Sequence, residues 1–255
     1  MTYQNELKLW GISRELFNLL ESSEQKFVLN ECGGELNFEY YRERIKRIDF
    51  VNFEVVLDVG CGIGQWSVAL ASQNELVEAC DINMSRLMIA REIASEQTVK
   101  NLRLSNKKVE NVEELGLKVS AVFCYGVFMF TNKKKSVEAF AETLQEGGLL
   151  YLNYNSSGWW LYLLFEEGIR KRKYSIIKLL FKSFLKTIYQ KDKRIFVTKR
   201  GILRLISKRG FKIIYVGPEG SYNPNKKSDF VRPKYESFYK KRNMVIEIIA
   251  RKESK

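Results

Sequence analysis

A short apolar run that ends in an acid and a glycine-rich turn constrains this chain more than any other feature. Val55 to Val59 is rich in β-branched residues, and three glycines follow at every second position, in the sequence Asp-Val-Gly-Cys-Gly-Ile-Gly. Such a run is typical of a buried strand that enters a tight turn. The apolar spacing from Ile63 to Ala71 predicts a helix after the turn. Open α/β sheets form nucleotide pockets from a strand, a turn and a helix in this order.

The spacing of the glycines distinguishes between nucleotides. A dinucleotide-binding turn has the pattern G-x-G-x-x-G, and Gln65 stands where its third glycine would fall. This difference argues against a nicotinamide-dependent oxidoreductase, which is one alternative from another function class. A second predicted strand ends in Asp81, seventeen residues after Gly64. A carboxylate at that place can accept hydrogen bonds from both hydroxyls of a ribose.

At these residues the chain resembles the class I S-adenosylmethionine-dependent methyltransferases, from about residue 54 to residue 155 and more loosely to the C-terminus. The resemblance implies an α/β fold: a Rossmann-like, seven-stranded, mostly parallel sheet with helices on both faces and an antiparallel last strand. It also implies S-adenosylmethionine as the cofactor and methyl transfer as the reaction. The residues that it assigns to cofactor binding are Asp58, Gly60, Cys61, Gly62, Gly64, Gln65, Asp81, Ile82, Lys108, Val109 and Tyr125.

One of these positions departs from the family pattern. Lys108 falls where relatives often carry an aspartate near the adenine, after the predicted third strand. Backbone groups of Lys108 and Val109 are therefore assigned to the adenine in place of a carboxylate.

The same patterns predict the order of elements and the domains. Residues 1–50 are predicted to form an N-terminal helical cap, in which Leu7, Leu16, Phe17, Leu19 and Leu20 share an apolar face. Residues 51–255 form the cofactor-binding domain, with a basic, amphipathic lid inserted at about 156–197. The predicted strands are 55–59, 76–81, 102–105, 121–125, 148–154, 211–216 and 244–251, and a late helix is predicted over 198–209.

Composition limits the chemistry that the chain can perform. The sequence contains no histidine, and its four cysteines are scattered without a C-x-x-C pair, so we predict no metal site. Histidine is the commonest general base, and its absence leaves carboxylates, tyrosine, lysine or water for any proton transfer. Methyl transfer from a sulfonium needs mainly alignment and exclusion of water. The sequence alone therefore assigns no catalytic residue.

Apolar patterning predicts a cytoplasmic location. The longest apolar run, 159–165, is far shorter than the roughly 20 residues of a membrane-spanning helix. The first ten residues lack the basic and apolar regions of a secretion signal. Peripheral contact with a membrane is compatible with both observations.

The segment 170–200 carries most of the net charge of the chain. It contains twelve Lys or Arg and one acid, a net of +11, against +13 for the whole chain. Lys178, Lys182 and Lys186 stand four residues apart on one side of a predicted helix. The opposite, apolar side is formed by Ile177, Leu180, Phe181, Phe184, Leu185 and Ile188.

This pattern has three interpretations. The first is a lid that packs on the substrate pocket and turns its lysines to water. The second is an amphipathic element on an anionic membrane, where each basic residue contributes about 1 kcal/mol. The third is a nucleic-acid surface, which requires aromatic side chains interleaved with the basic ones. The aromatic residues fall on the apolar side here, so we rank the membrane above nucleic acid.

The methyl acceptor is less constrained than the cofactor. After the predicted fourth strand the chain reads Cys-Tyr-Gly-Val, and not the Asp/Asn-Pro-Pro-Tyr/Phe of many methyltransferases that act on nucleic-acid amino groups. The predicted pocket rim is aromatic and rich in amides, from Tyr125, Asn153, Tyr154, Asn155, Trp159 and Trp160. We therefore expect methylation of an oxygen, ahead of nitrogen, on a small molecule, sugar or lipid-linked glycan. The alternative is a non-catalytic basic module that binds a membrane or nucleic acid and retains the fold.

Overall fold

A computed structural model of the chain describes residues 7–33, 37–189, 196–225, 233–234 and 236–254. The chain divides into two compact units, Met1–Lys108 and Val109–Lys255, which are described separately below. The predicted boundary between a cap and a cofactor-binding domain at residue 50 stays a prediction.

Before its first strand, the first unit has the helices α1 (Arg14–Leu19), α2 (Ser22–Cys32) and α3 (Phe38–Arg47). The side chains of Ser13 and Asn37 accept hydrogen bonds from backbone N–H groups in the first turns of α1 and α3, which is why these helices begin there. Leu16 and Phe17 are buried as predicted, but Leu19 is 80% exposed, so the predicted apolar face is wrong at that residue. Because α1 has only six residues, it buries one narrow stripe.

The rest of the first unit alternates strands and helices. In chain order these are β1 (Val55–Val59), α4 (Gln65–Ala71), β2 (Leu76–Asp81), α5 (Met84–Glu96) and β3 (Leu102–Asn106). The strands pair in parallel, in the order β3-β2-β1. All but the first residue of both β1 and β2 are buried, as expected for parallel strands covered on both faces.

The second unit contains the remaining long strands. They are β4 (Val119–Cys124), β5 (Leu144–Asn155), β6 (Phe211–Pro218) and β9 (Val245–Lys252), and a hairpin of β7 (Phe238–Tyr239) and β8 (Arg242–Asn243) stands apart from them. The order is β4-β5-β9-β6, and β9 is antiparallel to both of its neighbours. The carboxyl ends of β4, β5 and β6 therefore lie at one edge.

The helices of the second unit include a sixteen-residue helix that carries several lysines. They are α6 (Lys133–Thr143), α7 (Ser157–Tyr162), a π-helix (Leu163–Arg170), α8 (Tyr174–Tyr189) and α9 (Lys199–Ser207), with 3₁₀ turns at Val109–Leu115 and Phe128–Phe130. Among the described residues, no helix has the length and apolar character to cross a bilayer.

The predicted fold class is confirmed. The chain is α/β, and its seven long strands form a mostly parallel sheet with an antiparallel last strand.

Candidate functional site

The glycine-rich turn of the first unit has the backbone that only glycine adopts readily. Gly60, Gly62 and Gly64 have φ of 71°, 57° and 85°, all in the left-handed region. The N–H groups of Gly60 and Cys61 both donate to the carbonyl oxygen of Cys80, at 2.7 and 3.0 Å. These two hydrogen bonds hold the turn after β1 against the end of β2.

Asp81 completes this anchoring from the end of β2. Its Oδ2 accepts a hydrogen bond from the N–H of Gly62 at 3.0 Å, and its Oδ1 accepts one from the N–H of Asn83 at 2.8 Å. A carboxylate has about four lone-pair sites, so two further donors can be accepted. The structure therefore joins the glycine turn to the predicted ribose-binding acid, whose carboxylate is largely buried and keeps lone pairs beyond these two contacts.

Asp58 lies deep beneath the turn. It is buried at the end of β1, and its Oδ2 accepts a hydrogen bond from the hydroxyl of Ser67 at 2.6 Å. Burial raises the pKa of Asp58 to about 7; the hydrogen bond from Ser67 lowers this pKa and the charge of Asp81 raises it. Burial likewise raises the pKa of Cys80 to about 12 and raises that of Cys61 well above its usual value, so both thiols stay protonated.

The glycines of the turn differ in the space around them. A Cβ at Gly64 would stand 2.8 Å from the Cβ of Ala90 on α5, so glycine is needed there for close packing. A Cβ at Gly62 would meet only the ring of Phe27, at 3.8 Å, among the described residues. The space in front of Gly62 is therefore a place where a ligand can approach the backbone.

Helix α2 packs beside the turn through side chains that the sequence did not single out. The amide of Gln65 donates to Glu31 at 3.1 Å. Arg86 donates to both carboxylate oxygens of Glu24, at 2.8 and 3.1 Å, and its guanidinium stacks 3.8 Å from the ring of Phe27. Gln65, a predicted cofactor ligand, thus uses its amide to hold α2. Phe27, Glu24 and Glu31 carry no motif and become visible only in the fold.

The remaining predicted residues of the first unit differ in accessibility. Ile82 is 66% exposed next to Asp81, and Lys108 is exposed at the end of the unit, so both can be reached from solvent. Trp66, which the sequence analysis did not assign to the site, lies in the helix after the glycine turn; it is buried and packs edge-on against Tyr41, with ring centroids 4.8 Å apart.

In the second unit, Tyr125 directly follows β4 and is hydrogen-bonded to a buried acid. Its hydroxyl donates to Oε1 of Glu219 at 2.6 Å, and both residues are buried. Glu219 directly follows β6, and its N–H donates to the carbonyl oxygen of Val245 at the start of β9. Because β4 and β6 end at the same edge, the pair stands at the carboxyl ends of both strands.

Other polar groups surround this edge of the second unit. The side-chain oxygen of Asn153 accepts a hydrogen bond from the N–H of Gly126 at 2.6 Å. Glu247 accepts from the hydroxyl of Tyr151 at 3.3 Å and from the N–H of Tyr222 at 2.7 Å. The predicted rim residue Tyr154 is buried, and burial raises the pKa of its phenol. Val109, predicted near the adenine, is buried in a 3₁₀ turn.

Residues 56–148 match a family model described as a methyltransferase domain. The resemblance to the class I S-adenosylmethionine-dependent methyltransferases is thereby confirmed, and S-adenosylmethionine is the cofactor that this family uses.

Two curated relatives match part of the chain. A Rickettsia prowazekii protein, named as uncharacterized, is 24% identical over 110 residues, which are 41% of this chain and 44% of that protein. A Geobacillus sp. (strain WCH70) protein, named as a methyltransferase, is 25% identical over 134 residues, which are 51% of this chain and 54% of that protein. The chain thus spans about half the length of the curated relatives it matches.

Two solved structures have the same fold as nearly the whole chain. Magnesium protoporphyrin IX methyltransferase from Synechocystis PCC 6803, solved with bound S-adenosylhomocysteine, is similar with a TM-score of 0.59 and 17% identity, over 94% of this chain and 97% of that one. An S-adenosylmethionine-dependent methyltransferase from Clostridium acetobutylicum gives a TM-score of 0.58 and 15% identity, over 86% and 94%. At these identities the likeness shows the fold alone.

Proposed function

We propose that the protein transfers the methyl group of S-adenosylmethionine to an oxygen of a small molecule, a sugar or a lipid-linked glycan. The observation that carries the cofactor part of this proposal is the hydrogen bond from Gly62 to Asp81. It brings together an open left-handed backbone and a carboxylate with spare lone pairs, which suit an amino-acid moiety and a ribose.

The residues of the first unit fit the cofactor in distinct ways. Gly62 offers its backbone without a side chain, Asp81 offers acceptors for ribose hydroxyls, and the exposed Ile82 offers an apolar surface beside them for a base. The cofactor supplies an activated methyl group on a sulfonium, so the protein supplies binding, orientation and exclusion of water.

Transfer to a hydroxyl requires that its proton be accepted. The chain has no histidine, and Tyr125 and Glu219 form a buried, hydrogen-bonded pair at the carboxyl ends of their strands, where open α/β sheets bind ligands. We assign Glu219 as the group that takes the proton of the substrate hydroxyl. It takes this proton directly, or the hydroxyl of Tyr125 gives its own proton to Glu219 and receives the substrate's proton in exchange. A carboxylate and a phenol in this arrangement support oxygen as the methylated atom.

The cofactor is tested first, by calorimetric titration with S-adenosylhomocysteine. We expect binding near the micromolar range, on the order of −8 kcal/mol. Asp81→Ala should weaken binding at least about tenfold, because it removes the ribose acceptor and one anchor of the turn. Glu75→Ala is the matched control, since Glu75 is an exposed acid just before the same strand. Equal affinity for both variants would contradict the assigned site.

The acceptor is tested with a panel of hydroxylated small molecules, nucleotide sugars and lipid-linked glycans, beside RNA and protein. Turnover only on RNA or protein would contradict the proposed acceptor class. With an active acceptor in hand, Glu219→Gln should lower kcat at least about a hundredfold and leave the affinity for S-adenosylhomocysteine unchanged. A kcat within threefold of the wild type, about 0.7 kcal/mol, would remove Glu219 from the mechanism.

A further inference from the structure

Helix α8 leaves much of its apolar side uncovered. Of its sixteen residues, Leu180 and Ser183 are buried in the second unit. Phe181, Phe184 and Ile188, which follow one another at helical spacing, are 60%, 52% and 51% exposed. Side chains of this size seldom form a continuous exposed stripe on a protein that has no partner. We call these three residues the apolar stripe of α8.

Cationic side chains border this stripe. Lys178 and Lys182 are both exposed, and at 100° per residue they lie on the side of the helix next to Phe181. They have no carboxylate partner within the described part of the chain. By contrast, three cations before the helix are paired: Arg170 with Glu166, and Lys171 and Lys173 with Glu167. Lys178 and Lys182 are therefore cations of α8 that are available to an anionic partner.

An apolar groove continues inward from the stripe. Its volume is about 310 Å³, and Phe181 and Phe184 line it together with Trp160 and Leu164 from the preceding helices. The groove presents almost no polar surface, so a hydrocarbon chain suits it better than a polar ligand.

We infer that α8 is a docking surface for an anionic phospholipid bilayer, on which it lies in the plane of the interface. The apolar stripe enters the boundary between head groups and acyl chains, while Lys178 and Lys182 stay at the level of the lipid phosphates. An amphipathic helix with aromatic residues on one side and lysines on its polar side has this mode of binding.

Two other occupants fit the surface less well. A second copy of the chain, docked about a two-fold axis, would place the lysines of both copies in or beside one apolar interface, and like charges oppose such a contact. Single-stranded nucleic acid would require rings interleaved with cations, whereas this stripe is contiguous and ends in the aliphatic Ile188. Charge complementarity thus favours the lipid surface.

The test is co-sedimentation of the full chain with vesicles. We expect binding to phosphatidylcholine vesicles that contain about a third phosphatidylglycerol, little binding to pure phosphatidylcholine, and loss of most binding at 1 M NaCl, where the Debye length is about 3 Å. Lys178→Glu/Lys182→Glu should weaken binding at least about tenfold. Lys134→Glu/Lys135→Glu is the matched control, because it makes the same charge change at exposed positions of α6 and should bind nearly as the wild type does.

The apolar part is tested with Phe181→Ser/Phe184→Ser, which should also bind at least about tenfold more weakly. Leu179→Ser, on another side of α8, is its control and should have a much smaller effect. Circular dichroism of each variant shows that it is folded. The vesicle assay needs no cofactor, so its failure is distinct from a failure of the proposed methyl transfer.

Three results would overturn the inference. The first is no binding, or equal binding to anionic and neutral vesicles. The second is a stable dimer, detected by light scattering, that becomes monomeric in Phe181→Ser/Phe184→Ser. The third is tighter binding of single-stranded RNA than of vesicles, lost in the same two double variants.

Discussion

At the scale of single residues, two glycines with the same backbone allow a ligand contact to be separated from backbone strain. Gly62 and Gly116 have φ of 57° and 68°, and a Cβ added at either position would have no neighbour closer than 3.8 Å among the described residues. An alanine in the left-handed region costs about 1–2 kcal/mol at either place. Only Gly62 belongs to the turn that Asp81 holds.

We therefore expect Gly62→Ala and Gly116→Ala to lower the free energy of unfolding by similar amounts. Gly62→Ala alone should also weaken the binding of S-adenosylhomocysteine at least about tenfold, because its methyl group occupies the space of the ligand. Urea unfolding and calorimetry measure the two effects. An equal loss of affinity in both variants would mean that strain, and not ligand contact, explains the glycine at position 62.

Asp58 predicts a dependence of stability on pH. Its pKa is about 7 in the folded chain, against an ordinary value of 3.8, because burial disfavours the carboxylate. Between these values the folded state binds more protons than the unfolded state, so the contribution of Asp58 to stability falls as the pH rises from about 4 to about 7. Asp58→Asn removes this titration and keeps an oxygen that can accept from Ser67.

Relative to the wild type, Asp58→Asn should thus gain up to about 2.6 kcal/mol of stability between pH 5 and pH 8. Urea unfolding of both proteins without ligand at the two pH values measures the difference. The other carboxylates titrate in both proteins, so their contributions cancel in the difference between the two stabilities. A constant difference between the two proteins across this range would show that Asp58 stays ionised.

At the scale of elements, α2 offers a test of the predicted N-terminal cap. The ring of Phe27 is the nearest group to the open space at Gly62. Arg86 stacks on this ring and forms an ion pair with Glu24 of the same helix, so the ring is held in place. If α2 covers a bound cofactor, this ring is a wall of the pocket. Partial burial of a phenylalanine ring contributes about 1 kcal/mol.

Phe27→Ala should accordingly weaken the binding of S-adenosylhomocysteine about fivefold, with a faster dissociation rate. Lys26→Ala is the control on the same helix, because Lys26 is exposed and alanine is at least as good a helix former. Stopped-flow displacement measures dissociation. Identical rates in the two variants would leave α2 as a structural element without a role in the pocket.

The elements also show what the sequence predicts well. The bounds of β1 and β2 agree with prediction at every residue, because an apolar run, an acid and glycines mark their ends. The sequence predicts β5 over 148–154, but the strand begins at Leu144, and its pairing with β4 shifts register between Val119 and Ala121. Local patterns do not encode such an irregularity, since it depends on the partner strand.

The candidate site likewise contains one contact that the sequence predicts and one that it does not. The contact between Gly62 and Asp81 follows from adjacent parallel strands, which the alternation of strands and helices already implies. The contact between Tyr125 and Glu219 joins residues 94 positions apart and rests on the insertion of β9 between β5 and β6. No motif marks Glu219, so the sequence could name a cofactor but no proton acceptor.

At the scale of the whole molecule, ligand binding should appear as thermal stability. A ligand that binds only the folded chain stabilises it by about 2.7 kcal/mol at a hundred times its Kd. For a chain of 255 residues, each kcal/mol raises Tm by roughly 2–4 °C. S-adenosylhomocysteine at that concentration should therefore raise Tm by about 5–11 °C.

The form of this shift carries more information than its size. With Asp81→Ala, the curve of Tm against ligand concentration should move to at least about tenfold higher concentration. It should keep its shape, because the stabilisation depends only on the ratio of ligand concentration to Kd, and Kd alone changes. Glu75→Ala should follow the wild-type curve, as it leaves the glycine turn intact. A shift that is the same in all three proteins would mean that the ligand stabilises the chain elsewhere than at Asp81. In that event the glycine turn would keep its structural role, and the cofactor site would have to be sought among other residues.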